Sequence, residues 1–259
     1  MTAAPARRSE GGDEGSIDVA FTPAEEVRPT DVALVVDVLR ASSTIVAALD
    51  GGFERVLCVG DVEGARRLRT AGRELAGEQG CRPIEGFDYG NSPGELGRAR
   101  VAELVLCTTN GTPAVLAAAE AAGEVLITSL LNLDAVVGAV PAGADVTIVC
   151  SGTNGRFALE DAYLAGRIVE RLTRSRTDAA VAAAQLAGSY DDPYTPLAQS
   201  ADAEVLRATG QSEDVRFCAR ESVFDIVPRV AGMSDGVAVV EKAILQHSPS
   251  PMGYEETFA

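Results

Sequence analysis

The chain has 259 residues, with 38 Asp or Glu against 22 Lys or Arg, so its formal net charge is −16. A surface this acidic lacks the cations that neutralise phosphates, which excludes non-specific nucleic-acid binding from the expected functions. No apolar stretch approaches the length of a membrane span, and the five cysteines show no Cys-x-x-Cys spacing. We therefore expect a cytoplasmic protein with no nucleic-acid or membrane partner.

In the N-terminal part of the chain, short apolar runs alternate with alanine-rich segments. The runs predict strands at 17–21, 32–39, 55–59, 103–108, 125–129 and 146–150, and the intervening segments predict helices at 42–51, 62–72, 113–122 and 131–140. Continuously apolar strands are typical of a sheet that helices cover on both faces. The fold class predicted is α/β, a three-layer α/β/α sandwich with a largely parallel or mixed central sheet.

The C-terminal part has a different pattern. Segments 157–174, 178–187 and 193–209 predict consecutive helices with no strand between them, and 236–240 predicts a last strand. No linker composition separates the two parts. We predict one α/β domain over 17–246, preceded by a disordered leader, 1–16, and followed by a tail, 247–259.

Ligands of open α/β sheets bind beyond the carboxyl ends of the strands, and four such segments carry polar residues. The first is VVDVLRASST, in which Asp37 closes a strand, Arg40 lies in the turn, and Ser42, Ser43 and Thr44 begin a helix. A helix N-terminus suits a bound phosphate, and an adjacent Asp can hold Mg²⁺ or attack phosphorus. The alternative is an ordinary N-cap at Ser42 and a salt bridge at Asp37.

The second segment is GEQGCRPIEGFDYGNSP, a glycine-rich stretch crowded with oxygen ligands. Glu78, Glu85 and Asp88 are candidate Mg²⁺ ligands together with Asp37, and Asn91 is a candidate substrate-binding residue. The alternative is a surface loop whose Asp and Asn residues form turns.

The third segment is CTTNGTPA. Its Thr109, Asn110 and Gly111 offer hydroxyls, an amide and a close backbone approach, which together could bind an anion. It is equally compatible with a plain strand–turn–helix junction that has Thr112 as its N-cap.

The fourth segment is VCSGTNGRFALEDAY. Glu160 and Asp161 are candidate catalytic carboxylates, and Ser151, Gly152 and Arg156 are candidate substrate-binding residues. Carboxylates in the first turn of a helix also complement its dipole, which is the structural alternative for both acids.

Cys150 and Arg156 in this segment have the Cys-x₅-Arg spacing of thiol phosphatases. A thiolate nucleophile is therefore a rival to metal-assisted hydrolysis. His247 is the only histidine and lies near the C-terminus, so histidine-based catalysis is disfavoured. The chemistry is left to carboxylates, a metal or a thiol.

Taken together, these segments resemble the 2-phosphosulfolactate phosphatase family of coenzyme M biosynthesis. The resembling stretches are VVDVLRASSTIVAAL, GFDYGNSPGEL, TTNGTPAV, SLLNLDAV, CSGTNGRFALEDAYLAG, EDVRFCAR and FDIVP. The resemblance implies an α/β/α sandwich, Mg²⁺ dependence, and hydrolysis of (2R)-2-phospho-3-sulfolactate to (2R)-3-sulfolactate and phosphate. Gln79 and Pro113 stand where the family pattern has arginines, a departure that bears on the substrate more than on the reaction.

The sequence thus predicts a metal-assisted phosphomonoesterase. Asp37, Arg40, Glu160 and Asp161 are expected to be catalytic, and the partner is a small anionic phosphoester. The oligomeric state stays open, with a homodimer as one option. The rivals are a thiol phosphatase that uses Cys150 and a non-catalytic protein that binds phosphate or another anion.

Overall fold

The computed structural model describes residues 15–25 and 27–243. Most of the predicted leader and the whole predicted tail, including His247, lie outside the described residues. The strands are β1 (Ser16–Ala20), β2 (Thr30–Val36), β3 (Arg55–Val59), β4 (Arg73–Gln79), β5 (Arg82–Pro83), β6 (Glu103–Cys107), β7 (Ala122–Thr128), β8 (Val146–Cys150), β9 (Ser175–Arg176), β10 (Pro228–Ser234) and β11 (Val237–Lys242). The α-helices are α1 (Ala41–Asp50), α2 (Val62–Arg67), α3 (Gly111–Ala121), α4 (Leu133–Ala139), α5 (Leu159–Arg171), α6 (Asp178–Ala187), α7 (Tyr194–Gln199), α8 (Ala201–Ala208) and α9 (Ser212–Cys218). Short 3₁₀ helices span Pro93–Leu96 and Leu130–Asn132.

The strands form one mixed sheet in the order β5-β4-β6-β3-β11-β10-β7-β2-β8-β1-β9. One half, β4, β6 and β3, is parallel, and so is the other half, from β7 to β9. The hairpin of β10 and β11 joins the halves and pairs antiparallel on both sides. The predicted α/β class with a mixed central sheet is therefore confirmed.

Helices cover both halves of the sheet. Helices α1 and α3 pack in the interior between them: Ile45 and Val115 share one apolar cluster with Val35 of β2 and Cys58 of β3. Helices α4, α5 and α6 cover the outer face of the β7–β9 half, where Tyr163 is fully buried. Each fully buried aliphatic or aromatic side chain contributes about 1.5–3 kcal/mol, so these clusters hold both halves in place.

The structure corrects several predicted boundaries. A two-residue strand, β9, does lie between α5 and α6, and it pairs with β1 at the sheet edge. The predicted helix 193–209 is broken at Ser200, whose hydroxyl accepts from the amide of Ala203 and caps α8. Ser16, predicted to belong to the leader, is the first residue of β1. Strands β4 and β10 and helix α9 were not predicted at all.

The loops that follow β2, β4, β6 and β8 line one cleft. These strands belong to both halves of the sheet, which run antiparallel to each other because three antiparallel pairings lie between β3 and β7. Their carboxyl ends nevertheless meet at the cleft, as the sequence predicted. No helix in the described part of the chain is long and apolar enough to cross a membrane.

Candidate active site

Asp37 connects the end of β2 to the start of α1. Its Oδ1 accepts a hydrogen bond of 2.9 Å from the amide of Ala41, and its own amide donates to Oγ of Ser42 at 2.9 Å. Asp37 thus satisfies a free amide of the helix, a role that the sequence alternative gave to Ser42. The carboxylate is buried, with 7% of the residue exposed, yet it lines the cleft.

The hydroxyls of the first turn of α1 are used inside the fold. Ser43 Oγ donates to the carbonyl of Val38 at 2.9 Å, and Thr44 Oγ1 donates to the carbonyl of Asn91 at 3.0 Å. Ser42, Ser43 and Thr44 are buried and are absent from the cleft lining. In this structure their hydroxyls shape the loop around Asp37 and do not face the cleft.

The cleft has a volume of about 360 Å³ and brings together six of the residues that the sequence singled out. They are Asp37, Arg40, Glu78, Asn91, Thr109 and Asn110. The structure adds polar residues that sequence reasoning missed, of which Asp202, Thr153 and Asn154 line the same cleft.

Glu78 lies at the end of β4 and is held by neutral donors. It accepts from the amide of Thr109 at 2.7 Å, from Thr109 Oγ1 at 3.2 Å, and from the amide of Cys81 at 2.7 Å. No cation pairs with it among the described residues. Its carboxylate therefore adds negative charge to the cleft wall.

Asp202 reaches the cleft from α8. It accepts from Thr153 Oγ1 at 2.7 Å, and its carboxyl hydrogen-bonds to that of Glu160 on α5, which is buried behind it. Two carboxyl groups can hydrogen-bond only if one of them is protonated. Burial, followed by the charge of Asp202, raises the pKa of Glu160 to about 8, so the proton resides on Glu160 at neutral pH.

Asp161 ties two of the cleft loops together. Its Oδ1 accepts from the amide of Val38 at 2.9 Å, and its Oδ2 accepts from the amide of Gly152 at 3.0 Å. Burial, and next the charge of Glu160, raise the pKa of Asp161 well above its usual range. Asp161 does not line the cleft, so its contacts indicate that it positions the loops after β2 and β8.

Arg40 is the basic residue of the cleft lining. Its Nη1 pairs with Oδ2 of Asp214 on α9 at 2.5 Å and also donates to Oε1 of Gln211. Asn91 lies in the same lining, and its Oδ1 is buried without a hydrogen-bond partner among the described residues.

A sequence model of the 2-phosphosulpholactate phosphatase family matches residues 20–232. The chain belongs to this family. A probable 2-phosphosulfolactate phosphatase of Thermotoga petrophila is 38% identical over 230 residues, which cover 87% of this chain and 99% of the relative. Its counterpart in Thermus thermophilus is 37% identical over 233 residues, covering 87% and 98% of the two chains, respectively. A Deinococcus radiodurans protein of the same name is 38% identical over 215 residues, covering 79% and 90%.

Membership in the 2-phosphosulpholactate phosphatase family confirms the predicted resemblance and places the chain among the phosphoric monoester hydrolases. The segments that carry the resemblance include the loops after β2, β5, β6 and β8, each of which contributes residues to the cleft lining. Gln79 and Pro113, where arginines were expected, lie outside the cleft lining.

Glu85 and Asp88 are not brought to the cleft. Asp88 accepts from the amide of Leu75 at 2.8 Å and pairs with Arg69 at 3.1 Å, so it fixes the loop after β5. Glu85 is exposed and lines a separate depression beside α2. The tertiary structure thus separates these two predicted metal ligands from Asp37 and Glu78.

Three further predicted binding residues lie outside the cleft lining. Ser151 is buried and donates its amide to the carbonyl of Val36 at 2.8 Å. Gly152 is buried and donates its amide to Asp161. Arg156 is exposed, and its backbone bridges to that of Thr153. Gly111 begins α3 and lies directly beside Asp37. A side chain at position 111 would overlap the Asp37 carboxylate.

Cys150 is buried at the end of β8 and lines a different cavity, of about 490 Å³, beside α3. Burial, and next the charge of Asp161, raise the pKa of its thiol well above the usual value. A phosphatase nucleophile needs the thiolate, which this environment disfavours. The geometry therefore favours the carboxylate cleft over the thiol mechanism.

Proposed function

We propose that the chain is a Mg²⁺-dependent phosphatase that hydrolyses (2R)-2-phospho-3-sulfolactate to (2R)-3-sulfolactate and phosphate, as a cytoplasmic enzyme. The names of its relatives, probable 2-phosphosulfolactate phosphatases, support the substrate. The observation that carries the mechanism is the charge of the cleft. Three carboxylates, Asp37, Glu78 and Asp202, line it against one arginine, Arg40, whose charge Asp214 already offsets.

A cleft of this composition repels a phosphoester that carries several negative charges unless a cation is bound. Its donor set fits Mg²⁺, which prefers oxygen ligands and keeps several waters, so that one or two carboxylates suffice. Within the described residues no group of three Asp, Glu, His or Cys side chains converges as a ready-made metal site.

Asp37, Glu78 and the unpartnered Oδ1 of Asn91 are the groups that would hold the ion. Burial, and next the charge of Asp161, raise the pKa of Asp37 well above its usual range, and a bound cation would favour the charged form. When bound, Mg²⁺ would neutralise the phosphoryl charge and orient a water for attack.

The protein's own groups then have separate tasks. Arg40 binds an anionic group of the substrate, and the backbone around Thr109 and Asn110 borders the phosphoryl position. The pair of Asp202 and Glu160 holds a proton near the cleft. Hydrolysis breaks the bond between phosphorus and the C2 oxygen, and we assign to this pair the delivery of a proton to that oxygen.

The decisive experiment measures phosphate release from (2R)-2-phospho-3-sulfolactate, 2-phospholactate and p-nitrophenyl phosphate by protein stripped with EDTA, before and after addition of Mg²⁺. Release should disappear on stripping, return with Mg²⁺ and be fastest with the sulfonated substrate. Full activity without metal would reject the metal mechanism. No release from any of the three esters would favour a non-catalytic anion-binding protein.

A further inference from the structure

Arg40 is almost completely enclosed, since only 1% of its side chain is exposed. A buried guanidinium is strongly unfavourable unless it is paired and hydrogen-bonded. Asp214 provides the pairing through its Oδ2, and Gln211 accepts a further hydrogen bond from the same Nη1 atom. Helix α9 therefore determines where the only basic group in the cleft lining lies.

Asp214 and Gln211 are themselves fixed by groups near the cleft. The second oxygen of Asp214, Oδ1, accepts from Ser92 Oγ at 2.5 Å. Gln211 donates through Nε2 to the carbonyl of Cys81 at 2.8 Å. Neither Asp214 nor Gln211 lines the cleft, so each can influence a ligand only through Arg40 or through the loops that they tie down.

The other terminal nitrogen of Arg40 has no such partner. Nη2 is buried and makes no hydrogen bond within the described part of the chain. A buried donor without an acceptor is unfavourable, and in a residue of the cleft lining it indicates a place for a ligand oxygen. The two hydrogen bonds of Nη1, to Gln211 and Asp214, fix the plane of the guanidinium and leave Nη2 without an acceptor.

We propose that Asp214 is a positioning residue that, braced by Ser92, orients Arg40 so that Nη2 binds an oxygen of the anionic substrate. This inference rests on the proposed function, because it requires an anion in the cleft. It also assigns a role to the segment EDVRFCAR, which includes Asp214. This segment contributes to the family resemblance but supplies no residue to the cleft lining.

The test compares Asp214→Asn with Glu213→Gln. Glu213 precedes Asp214 on the same helix, its side chain is 82% exposed, and it pairs with Arg216 at the surface. KM and kcat for (2R)-2-phospho-3-sulfolactate would be measured at saturating Mg²⁺, with the dissociation constant of inorganic phosphate from calorimetry. Asp214→Asn should raise both KM and the dissociation constant of phosphate by about tenfold or more, because Arg40 is no longer held in its binding orientation. It should change kcat by less than about threefold.

If Asp214 had only a structural role, Asp214→Asn would destabilise the protein and could weaken binding indirectly. A second comparison therefore introduces Asp214→Asn into the Arg40→Gln variant. Adding Asp214→Asn to Arg40→Gln should change the phosphate constant by less than about twofold, since the group that Asp214 orients is already gone. A further tenfold loss in that background would overturn the inference. So would an Asp214→Asn enzyme that matches Glu213→Gln in KM.

If Asp214→Asn does not fold, Ser92→Ala keeps the ion pair and removes only the brace on Asp214. It should raise KM by about two- to fivefold with circular dichroism unchanged, and an unaltered KM would overturn the inference. Wild-type protein that neither releases nor binds phosphate would reject the proposed function as well. If the wild type is active and Asp214→Asn leaves its KM unchanged, only the positioning role is rejected.

Discussion

Asp37 and Gly111 are in such close contact that a Cβ atom at position 111 would lie 2.5 Å from Oδ2 of Asp37. The same Cβ would lie 2.3 Å from Cβ of Ala41. Position 111 is therefore restricted to glycine by the two elements that meet there, the start of α3 and the loop that carries Asp37. The absence of a side chain at position 111 leaves room for the Asp37 carboxylate.

Gly111→Ala should move the Asp37 carboxylate and lower turnover by about 100-fold, because misplacement of a reacting group by an ångström has an effect of this size. Gly138 in α4 is the matched control, since a Cβ added there meets nothing within 4 Å. Gly138→Ala should leave turnover unchanged and raise stability by roughly 0.5–1 kcal/mol. Initial rates and thermal melts on both variants measure these effects, and a fully active Gly111→Ala enzyme would contradict the steric argument.

Asp37→Asn should reduce turnover by at least about 10²–10³-fold and weaken Mg²⁺ binding in calorimetry, because it removes the charge that the ion needs. The amide retains an oxygen that can accept from Ala41, so the melting temperature in EDTA should not fall. Glu85→Gln, on the exposed loop outside the cleft, should leave both properties as in the wild type. A destabilised but catalytically normal Asp37→Asn protein would remove Asp37 from the site.

Cys150→Ala should retain turnover to within about threefold, since burial keeps the thiol protonated and away from the cleft. The cavity left by the sulfur should lower the free energy of unfolding by about 1 kcal/mol. The measurement is kcat per folded molecule, with circular dichroism to establish the fold. A loss of several orders of magnitude would instead identify the thiolate as the nucleophile.

The stability of the metal-free protein should fall as the pH rises from 5 to 8. Burial raises the pKa of Glu160 from 4.5 to about 8, so within this window the folded protein holds a proton that the unfolded chain has released. This contribution to the free energy of unfolding is fully present below pH 4.5 and is lost as the pH rises through about 8. The free energy of unfolding should fall by at most about 1.4 kcal/mol per pH unit. Urea unfolding in EDTA across this range measures it.

Glu160→Gln should flatten that slope, whereas Glu120→Gln, on the exposed surface of α3, should leave it as in the wild type. An equal slope in Glu160→Gln and wild-type protein would mean that Glu160 does not hold the proton.

Much of the fold could be predicted from local patterns. The apolar runs predicted β3 and β8 with the bounds that the structure has, because these strands are buried and continuous. Strand β4 could not be predicted, since its sequence RELAGEQ is mostly polar and small. Pairing with β6, and burial of Leu75 and Ala76, make it a strand.

The candidate site was predictable only in part. Asp37 and Arg40 follow an apolar strand, which marks them in the sequence. Asp202 and Asp214 lie in the first turns of short helices, where acidic residues commonly complement the dipole, so nothing in the sequence distinguishes them.

By itself the sequence determined the α/β class, the polar strand ends and the family resemblance. These features depend on apolar runs and turn residues that are neighbours in the chain. Only the tertiary structure decided which acids meet: it kept Glu85 and Asp88 outside the cleft and brought in Asp202. It also paired Arg40 with Asp214, 174 positions away. The physical reason is that contacts between distant segments depend on how the sheet twists and how helices pack over it, which no local pattern specifies.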